Sequence, residues 1–174
     1  MIPIKKSLDE RRFNIEGLTL SAHQPEFLPW LGYVSKVTMA DVYFILDSVQ
    51  YVKDVFQNRN KIRIKQGEGW QWLNIPVKKV GGHLLNWKDV RIDNNQNWKT
   101  KLFGELEKLY FDDEEFLLDF IVKVSKFVLN KFEVDIPIYR TSELIEMGYD
   151  IGGSKSELIV NMCKVVNANN FILG

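Results

Sequence analysis

The sequence has few of the residues on which disulfide frameworks, metal sites and membrane spans depend. Its 174 residues contain one cysteine, Cys163, and two histidines. An internal disulfide is therefore excluded, and a zinc site, which needs about four ligands, is not expected. A single thiol fits the reducing cytoplasm, which is the expected location. No run approaches the roughly eighteen apolar residues of a membrane-spanning helix, and residues 1–14 lack the apolar segment of a signal peptide.

An excess of charge of either sign is also missing. The chain has 23 Lys plus Arg and 23 Asp plus Glu, so its formal net charge is zero. It has no general attraction for nucleic acid or for an anionic membrane surface, and neither is an expected partner. What is abundant is aromatic residues, at 13% within a hydrophobic fraction of 45%. That content can fill one core, so a single domain over residues 1–174 is predicted.

The first part of the chain has the pattern of a βαβ unit. Residues 18–22 form a short strand pattern that ends before Pro25, and residues 30–40 then repeat apolar residues at helical spacing. Residues 42–46 (VYFIL) are apolar without interruption, which is typical of a strand covered on both faces in a parallel sheet. The sequence therefore predicts an α/β fold.

The middle of the chain changes to the alternation of an antiparallel β-hairpin. Residues 61–65 and 70–77 alternate in polarity around the turn residues 66–69. This predicts an inserted hairpin at about 57–78, as an excursion from the parallel sheet. Its apolar face would hold Ile62, Ile64, Leu73, Ile75 and Val77.

The remainder alternates between strand and helix patterns. Strands are predicted at 90–92, 136–139 and 171–173, and a helix at 98–109. A second helix has the apolar stripe Phe116, Phe120, Val124 and Phe127. The S-x-x-E sequence of residues 154–157 predicts a capping box at the start of a last helix. Because a ligand loop normally follows such a final strand, the chain is expected to lack a C-terminal tail.

Two polar positions follow the first two predicted strands. In a parallel sheet the loops after the strands face the ligand crevice, so His23 and Asp47 would lie at one edge and form an acid/base pair. Gln24 would orient a ligand, and Trp30 and Tyr33 would form pocket walls. The alternatives are a hydrogen-bonded structural histidine in a locked turn and an ordinary cap at Asp47.

Further candidates lie in the hairpin and before the last helix. Gln57, Asn58, Arg59 and Asn60 are consecutive hydrogen-bonding side chains, and in extended geometry the two asparagines share the apolar face while Arg59 lies on the opposite one. Buried amides need partners, which a ligand or the backbone of a bulge would supply. Lys155, after two glycines, would hold an anion or be a plain loop residue. Trp70 and Trp72 would stack on a sugar or base, or pack on charged stems.

The residues from His23 to Arg63, followed by WQWLNIPV, resemble the WbqC-like family of bacterial proteins. They carry H-Q-P, L-P-W-x-G-Y, A-D-V, L-D-x-V-Q and Q-N-R-N in that order. The resemblance is dense from about Ala22 to Val77 and continues in residues 141–144 and 155–174. Residues 111–131 are compressed relative to the family, and its glycine-rich segment after F-I-L-G is absent. On matching positions the motif residues are His23, Gln24, Pro29, Trp30, Gly32, Tyr33, Asp47, Gln50, Gln57, Asn58, Arg59 and Asn60.

The resemblance implies a cytoplasmic protein whose relatives often occur among genes for O-antigen and other surface polysaccharides. A looser similarity to nucleotidylyltransferases implies a Rossmann-like, mostly parallel sheet with helices on both faces. Their H-x-G-H motif is replaced here by residues 30–33 (WLGY), so their phosphate chemistry is not implied.

The leading hypothesis is an enzyme that acts on a nucleotide-linked or otherwise activated sugar in surface-polysaccharide synthesis. The expected partner is a small molecule such as a nucleotide or nucleotide sugar, with an oligomer or a protein partner left open. No cofactor is indicated and no metal is predicted. The alternatives are a noncatalytic scaffold that docks a glycosyltransferase or carrier, and a nucleotide-binding protein without turnover.

Overall fold

The computed structural model describes residues 13, 15–53, 55–63, 69–78, 85–98 and 114–173. The chain forms two compact units. The sheet unit comprises Met1–Gln24, Trp30–Ser48 and Leu129–Gly174, and the hairpin unit comprises Pro25–Pro29 and Val49–Val128. The single domain over residues 1–174 stays a prediction.

The described elements alternate between strands and helices. In chain order they are β1 (Thr19–His23), α1 (Leu31–Thr38), β2 (Val42–Ile45), β3 (Arg59–Arg63), β4 (Trp70–Asn74), a short 3₁₀ helix (Trp87–Asp89), α2 (Leu117–Lys131), β5 (Ile138–Arg140), α3 (Thr141–Glu146), α4 (Ser156–Val166) and β6 (Asn170–Ile172).

The sheet unit is built on four parallel strands in the order β5-β2-β1-β6. The predicted βαβ unit is confirmed, since β1 and β2 are adjacent and α1 connects them. All four residues of β2 are buried, as its uninterrupted apolar run requires. The α/β class and the mostly parallel sheet are therefore confirmed.

Alternate residues of the strands face opposite sides of this sheet, and helices cover both sides. Leu20 and Phe44 lie in a core cluster with Met162 and Val166 of α4. On the other face, Tyr43 makes an edge-to-face contact with Tyr33 of α1, with ring centroids 5.6 Å apart. The helical spacing in α1 is confirmed as well, because Val34 and Val37, which it places inward, are buried, and so is Ala40 just after the helix.

The last helix, α4, lies where the sequence predicts it, but its N-terminus lacks the predicted capping box. It begins at Ser156 with Lys155 as N-cap, and no side chain makes a capping hydrogen bond there. The predicted capping box is therefore wrong. The loop reaches Lys155 with a φ of +49°, a conformation that cannot present Ser154 as an N-cap of regular extended geometry.

The hairpin unit contains the predicted antiparallel pair, with Arg63 opposite Trp70 and Arg59 opposite Asn74. Leu73 and Ile75 are fully buried, which confirms the apolar face for the part of the hairpin that the structure describes. The predicted strand at 90–92 is reduced to isolated bridges from Arg91 and Ile92. Phe120 and Val124 of α2 are buried as predicted. Ile64 and most of the predicted helix at 98–109 lie outside the described residues.

Candidate functional site

His23 is the last residue of β1, and its ring is oriented by the neighbouring backbone. Its Nδ1 lies 2.9 Å from the carbonyl oxygen of Gln24. A carbonyl oxygen only accepts, so Nδ1 carries the hydrogen and the neutral ring has its lone pair on Nε2. The ring also makes an edge-to-face contact with Tyr33, with centroids 5.5 Å apart. His23 is therefore held in the tautomer that accepts a proton at Nε2.

The carboxylate of Asp47 lies beyond the end of β2 and has no exposed surface. Its Oδ1 accepts hydrogen bonds from the hydroxyl of Thr141 (3.0 Å) and the backbone N–H of Ser142 (2.8 Å). Its Oδ2 accepts from the hydroxyl of Ser142 (2.6 Å) and from Nε of Arg140 (2.9 Å). These four bonds match the roughly four lone-pair positions of a carboxylate.

Thr141 completes a reciprocal connection between the loops that follow β2 and β5. Its hydroxyl oxygen accepts from the backbone N–H groups of Asp47 (3.1 Å) and Ser48 (3.2 Å). Arg140, the N-cap residue of α3, makes no capping hydrogen bond of its own. Asp47 therefore supplies from another strand end the acceptor that the first turn of α3 needs.

A single row across the sheet brings His23 and Arg140 to the same face. His23 is paired with Ile45, and Ile45 with Arg140. Since neighbouring strands lie about 4.8 Å apart, the two backbones are roughly 10 Å apart. The guanidinium is 18% exposed and lies 3.6 Å from Glu143 as well as beside Asp47. A proton acceptor and a cation thus share one edge.

The indole of Trp30 lies flat against Gly32 in the first turn of α1. A Cβ at Gly32 would lie 2.7 Å from Cε3 of the indole and closer still to two other ring carbons. The indole is nevertheless 60% exposed. Gly32 therefore permits a position of Trp30 that any other residue would prevent.

We expect Gly32→Ala to displace the Trp30 ring while changing the free energy of unfolding by no more than about 1 kcal/mol. The exposed ring can rotate away, and alanine in a helix is favoured over glycine by roughly 1 kcal/mol. Iodide quenching of tryptophan fluorescence measures the displacement. The matched control is the same substitution in a Trp30→Phe background, where quenching should not change. If Gly32→Ala increased iodide quenching equally with Trp30 present and in the Trp30→Phe background, the expectation would be contradicted.

Lys155 and Gln50 occupy separate, exposed positions. Lys155 precedes α4, and the described residues give its side chain no hydrogen bond or ion pair. Gln50 belongs to the hairpin unit, where it forms an isolated bridge with Asn86. Their predicted roles in substrate binding stay predictions.

The amides predicted in the hairpin unit have backbone partners. Gln57 accepts from the N–H of Val52 (2.7 Å), and Asn58 donates to the carbonyl of Ile75 (3.1 Å). Asn58 also lines a cleft of about 560 Å³ in this unit. Asn60 donates to the carbonyls of Phe27 (2.9 Å) and Leu28 (2.7 Å). The requirement of buried amides for partners is thus met here by backbone.

We expect Asn60→Ala to destabilise the protein by about 1–3 kcal/mol, because two carbonyls lose their donor. One of them belongs to Leu28, whose φ of +54° is unfavourable for a branched residue. Urea unfolding provides the measurement. Asn74→Ala, an exposed amide at the end of β4, is the control and should cost less than about 0.5 kcal/mol. If the two substitutions lowered the free energy of unfolding equally, the hydrogen bonds from Asn60 to Phe27 and Leu28 would contribute nothing to stability.

Within the part of the chain that the structure describes, no group of three His, Cys, Asp or Glu side chains could hold a metal ion. None of the described helices has the length and hydropathy to cross a membrane.

Comparison with known proteins identifies the family of the chain. The model of the WbqC-like protein family matches residues 24–112 and 100–174. The chain belongs to the WbqC-like protein family. It is also similar to the uncharacterized protein Rv1507c of Mycobacterium tuberculosis, with 25% identity over 167 residues that cover 87% of this chain and 70% of that protein. No solved structure matches.

In this WbqC-like chain, the sequence reading missed Arg140, Thr141 and Ser142. They follow the predicted strand at 136–139 directly. The rule that selected His23 and Asp47, that polar residues after parallel strands face the crevice, would have selected these three as well.

The cysteine of this WbqC-like chain lies in α4, half-buried against the core cluster. Burial raises the pKa of the Cys163 thiol, which keeps it in the neutral, poorly nucleophilic form. This agrees with a packing role for Cys163.

Proposed function

We propose that this WbqC-like protein is an enzyme that acts on a nucleotide-linked or otherwise activated sugar during synthesis of a bacterial surface polysaccharide. The biological setting comes from the gene context that family resemblance implies. The site proposed for the reaction is the edge formed by the carboxyl ends of β1, β2 and β5.

One observation carries the proposal: polar side chains gather at the carboxyl ends of three adjacent parallel strands. His23 ends β1, Asp47 follows β2, and Arg140 ends β5. The carboxyl edge of a parallel sheet is where α/β proteins bind small ligands.

Each residue then has a distinct part in the reaction. His23 accepts at Nε2 the proton of an acceptor hydroxyl as that oxygen bonds to the anomeric carbon of the activated sugar. The bond from that carbon to the activating phosphate breaks, and the phosphate leaves as an anion. Asp47 and Glu143 position Arg140, whose guanidinium is proposed to contact an anionic portion of the ligand. Trp30 and Tyr33 supply aromatic surface for a sugar or base ring.

Two further predicted contacts of the sheet unit extend the same ligand site. Gln24 orients the ligand, and Lys155 provides a phosphate contact. The roles in substrate binding predicted for five residues of the hairpin unit stay predictions: Gln50, Gln57, Asn58, Arg59 and Asn60.

A thermal-shift screen tests binding, with UDP-glucose, UDP-galactose, GDP-mannose, dTDP-glucose, UDP, GDP and dTDP as probes. A ligand at 100 times its Kd stabilises the native state by about 2.7 kcal/mol. For a chain of this size that is a rise in Tm of roughly 5–10 °C. Arg140→Gln should abolish the shift of the best probe, whereas Lys88→Gln, an exposed cation outside the site, should preserve it.

If no probe raised the Tm, the proposal that the substrate is nucleotide-linked would be overturned. A shift that Arg140→Gln and Trp30→Ala both leave intact would overturn the assignment of the site.

A further inference from the structure

The outward face of the hairpin carries alternating cations and indoles. Arg59, Lys61 and Arg63 of β3 share this face, since their side chains recur at every second residue. Trp70 and Trp72 of β4 lie opposite Arg63 and Lys61 in the register of the strands. We name these five residues the cation–indole face.

The cations of this face are held by aromatic rings. The guanidinium carbon of Arg59 lies 4.4 Å from the centroid of Trp72. The ammonium of Lys61 lies 4.3 Å from the centroid of Trp70 and 5.3 Å from that of Trp72. Among the described residues, no carboxylate forms an ion pair with any of the three cations. Their positive charge is therefore concentrated, and no carboxylate of the described residues neutralises it.

Aromatic surface beside these cations is open to solvent. Trp70 is 45% exposed, and Phe56, whose ring centroid lies 6.0 Å from that of Trp72, is 47% exposed. A stabilising ladder of cations and rings does not require so much exposed ring surface. Exposed apolar surface of this kind, bordered by charge, is typical of binding sites.

The stacking geometry selects the class of ligand. Nε of Arg59 is buried, but a guanidinium that lies over a ring keeps its terminal in-plane N–H groups available to bind a carboxylate or phosphate. Arg59 and Lys61 both lie over the ring of Trp72, which leaves less of that ring for a nucleobase to stack on in the manner of single-stranded nucleic-acid proteins. The zero net charge of the chain also gives no long-range attraction for a nucleic acid.

We propose that the cation–indole face binds an acidic saccharide, with its carboxylate or phosphate groups on the cations and its sugar rings against Trp70 and Phe56. This surface is argued from contacts within the hairpin unit alone. It is independent of the reaction proposed for the sheet unit, so either proposal can fail without the other.

Calorimetric titration of the whole protein tests the inference. The probes are tetragalacturonic acid, which carries carboxylates, phosphopentamannose, which carries phosphate, neutral maltotetraose and the oligonucleotide dT8. We expect at least one acidic saccharide to bind and maltotetraose to bind at least tenfold more weakly. Lys61→Gln and Trp70→Ala should each raise the Kd of that saccharide at least tenfold, and Lys88→Gln should change it less than twofold.

Three results would overturn the proposal. The first is no binding of either acidic saccharide at millimolar concentration. The second is binding that Lys61→Gln and Arg63→Gln leave unchanged, each variant having the thermal stability of the parent. The third is tighter binding of dT8 than of both saccharides, which would assign the face to nucleic acid.

Discussion

Asp47→Ala is expected to lower the free energy of unfolding by about 3–5 kcal/mol, the range for removing one partner of a buried ion pair. The substitution leaves the N–H and the hydroxyl of Ser142 without their acceptor, and leaves the hydroxyl of Thr141 only the carbonyl of Ile45, 3.2 Å away. It also leaves the mostly buried guanidinium of Arg140 without its nearest carboxylate.

Equilibrium unfolding in urea measures this loss, and Asp135→Ala is its matched control. Asp135 is exposed, and its loss should cost less than about 0.5 kcal/mol. If Asp47→Ala cost no more than Asp135→Ala, the network around Asp47 would not connect the two loops.

Combined substitutions separate the charge of Asp47 from its geometry. Asp47→Asn keeps an acceptor oxygen for the first turn of α3 but removes the negative charge opposite Arg140. Thr141→Val keeps shape and removes the hydroxyl. Because both residues belong to one network, the losses in free energy of unfolding should not add. The variant with both substitutions should lose about 0.5–3 kcal/mol less than the sum of the two single losses. Additive losses would show that Thr141 and Asp47 act separately.

His23→Gln is expected to reduce turnover about 10²–10⁴-fold, the contribution typical of one acid/base residue. Glutamine keeps a side-chain N–H for the carbonyl of Gln24 but has no group that accepts and returns a proton near neutral pH. Ligand binding in the thermal-shift screen should be retained. The expected effect is therefore on the rate and not on affinity.

The measurement is surface polysaccharide in a bacterial strain that lacks its own copy of the gene, complemented by each variant. His23→Gln should fail to restore the polysaccharide at equal protein level, and His83→Gln, a change at the other histidine of the chain, should restore it. Full restoration by His23→Gln would remove His23 from the chemistry and leave it a structural role.

Much of the fold follows from local patterns because burial constrains side-chain chemistry at each position. The run in β2 is apolar at every residue, and the strand is buried at every residue. The alternation of the hairpin likewise places Leu73 inward and Lys61 outward. The capping box failed because a four-residue pattern does not fix the backbone of the loop that enters the helix. At Lys155 that loop takes a positive φ.

The candidate site was only partly predictable. His23 is the last residue of β1 and Asp47 lies two residues after β2, so the carboxyl-edge rule locates them. The partners of Asp47 could not be predicted from local sequence, since Arg140 lies 93 residues further along the chain. Their contact depends on β5 pairing beside β2 and not beside another strand.

By itself, the sequence determined the α/β class, the hairpin and the strand ends at which polar residues gather, since these depend on patterns within a few residues. Only the tertiary structure decided what those residues contact. Strand order made Asp47 a partner of Arg140, Thr141 and Ser142. The register of β3 and β4 stacked Arg59 and Lys61 on indoles. Pairing between distant segments is set by the packing of the whole core, and no local pattern encodes it.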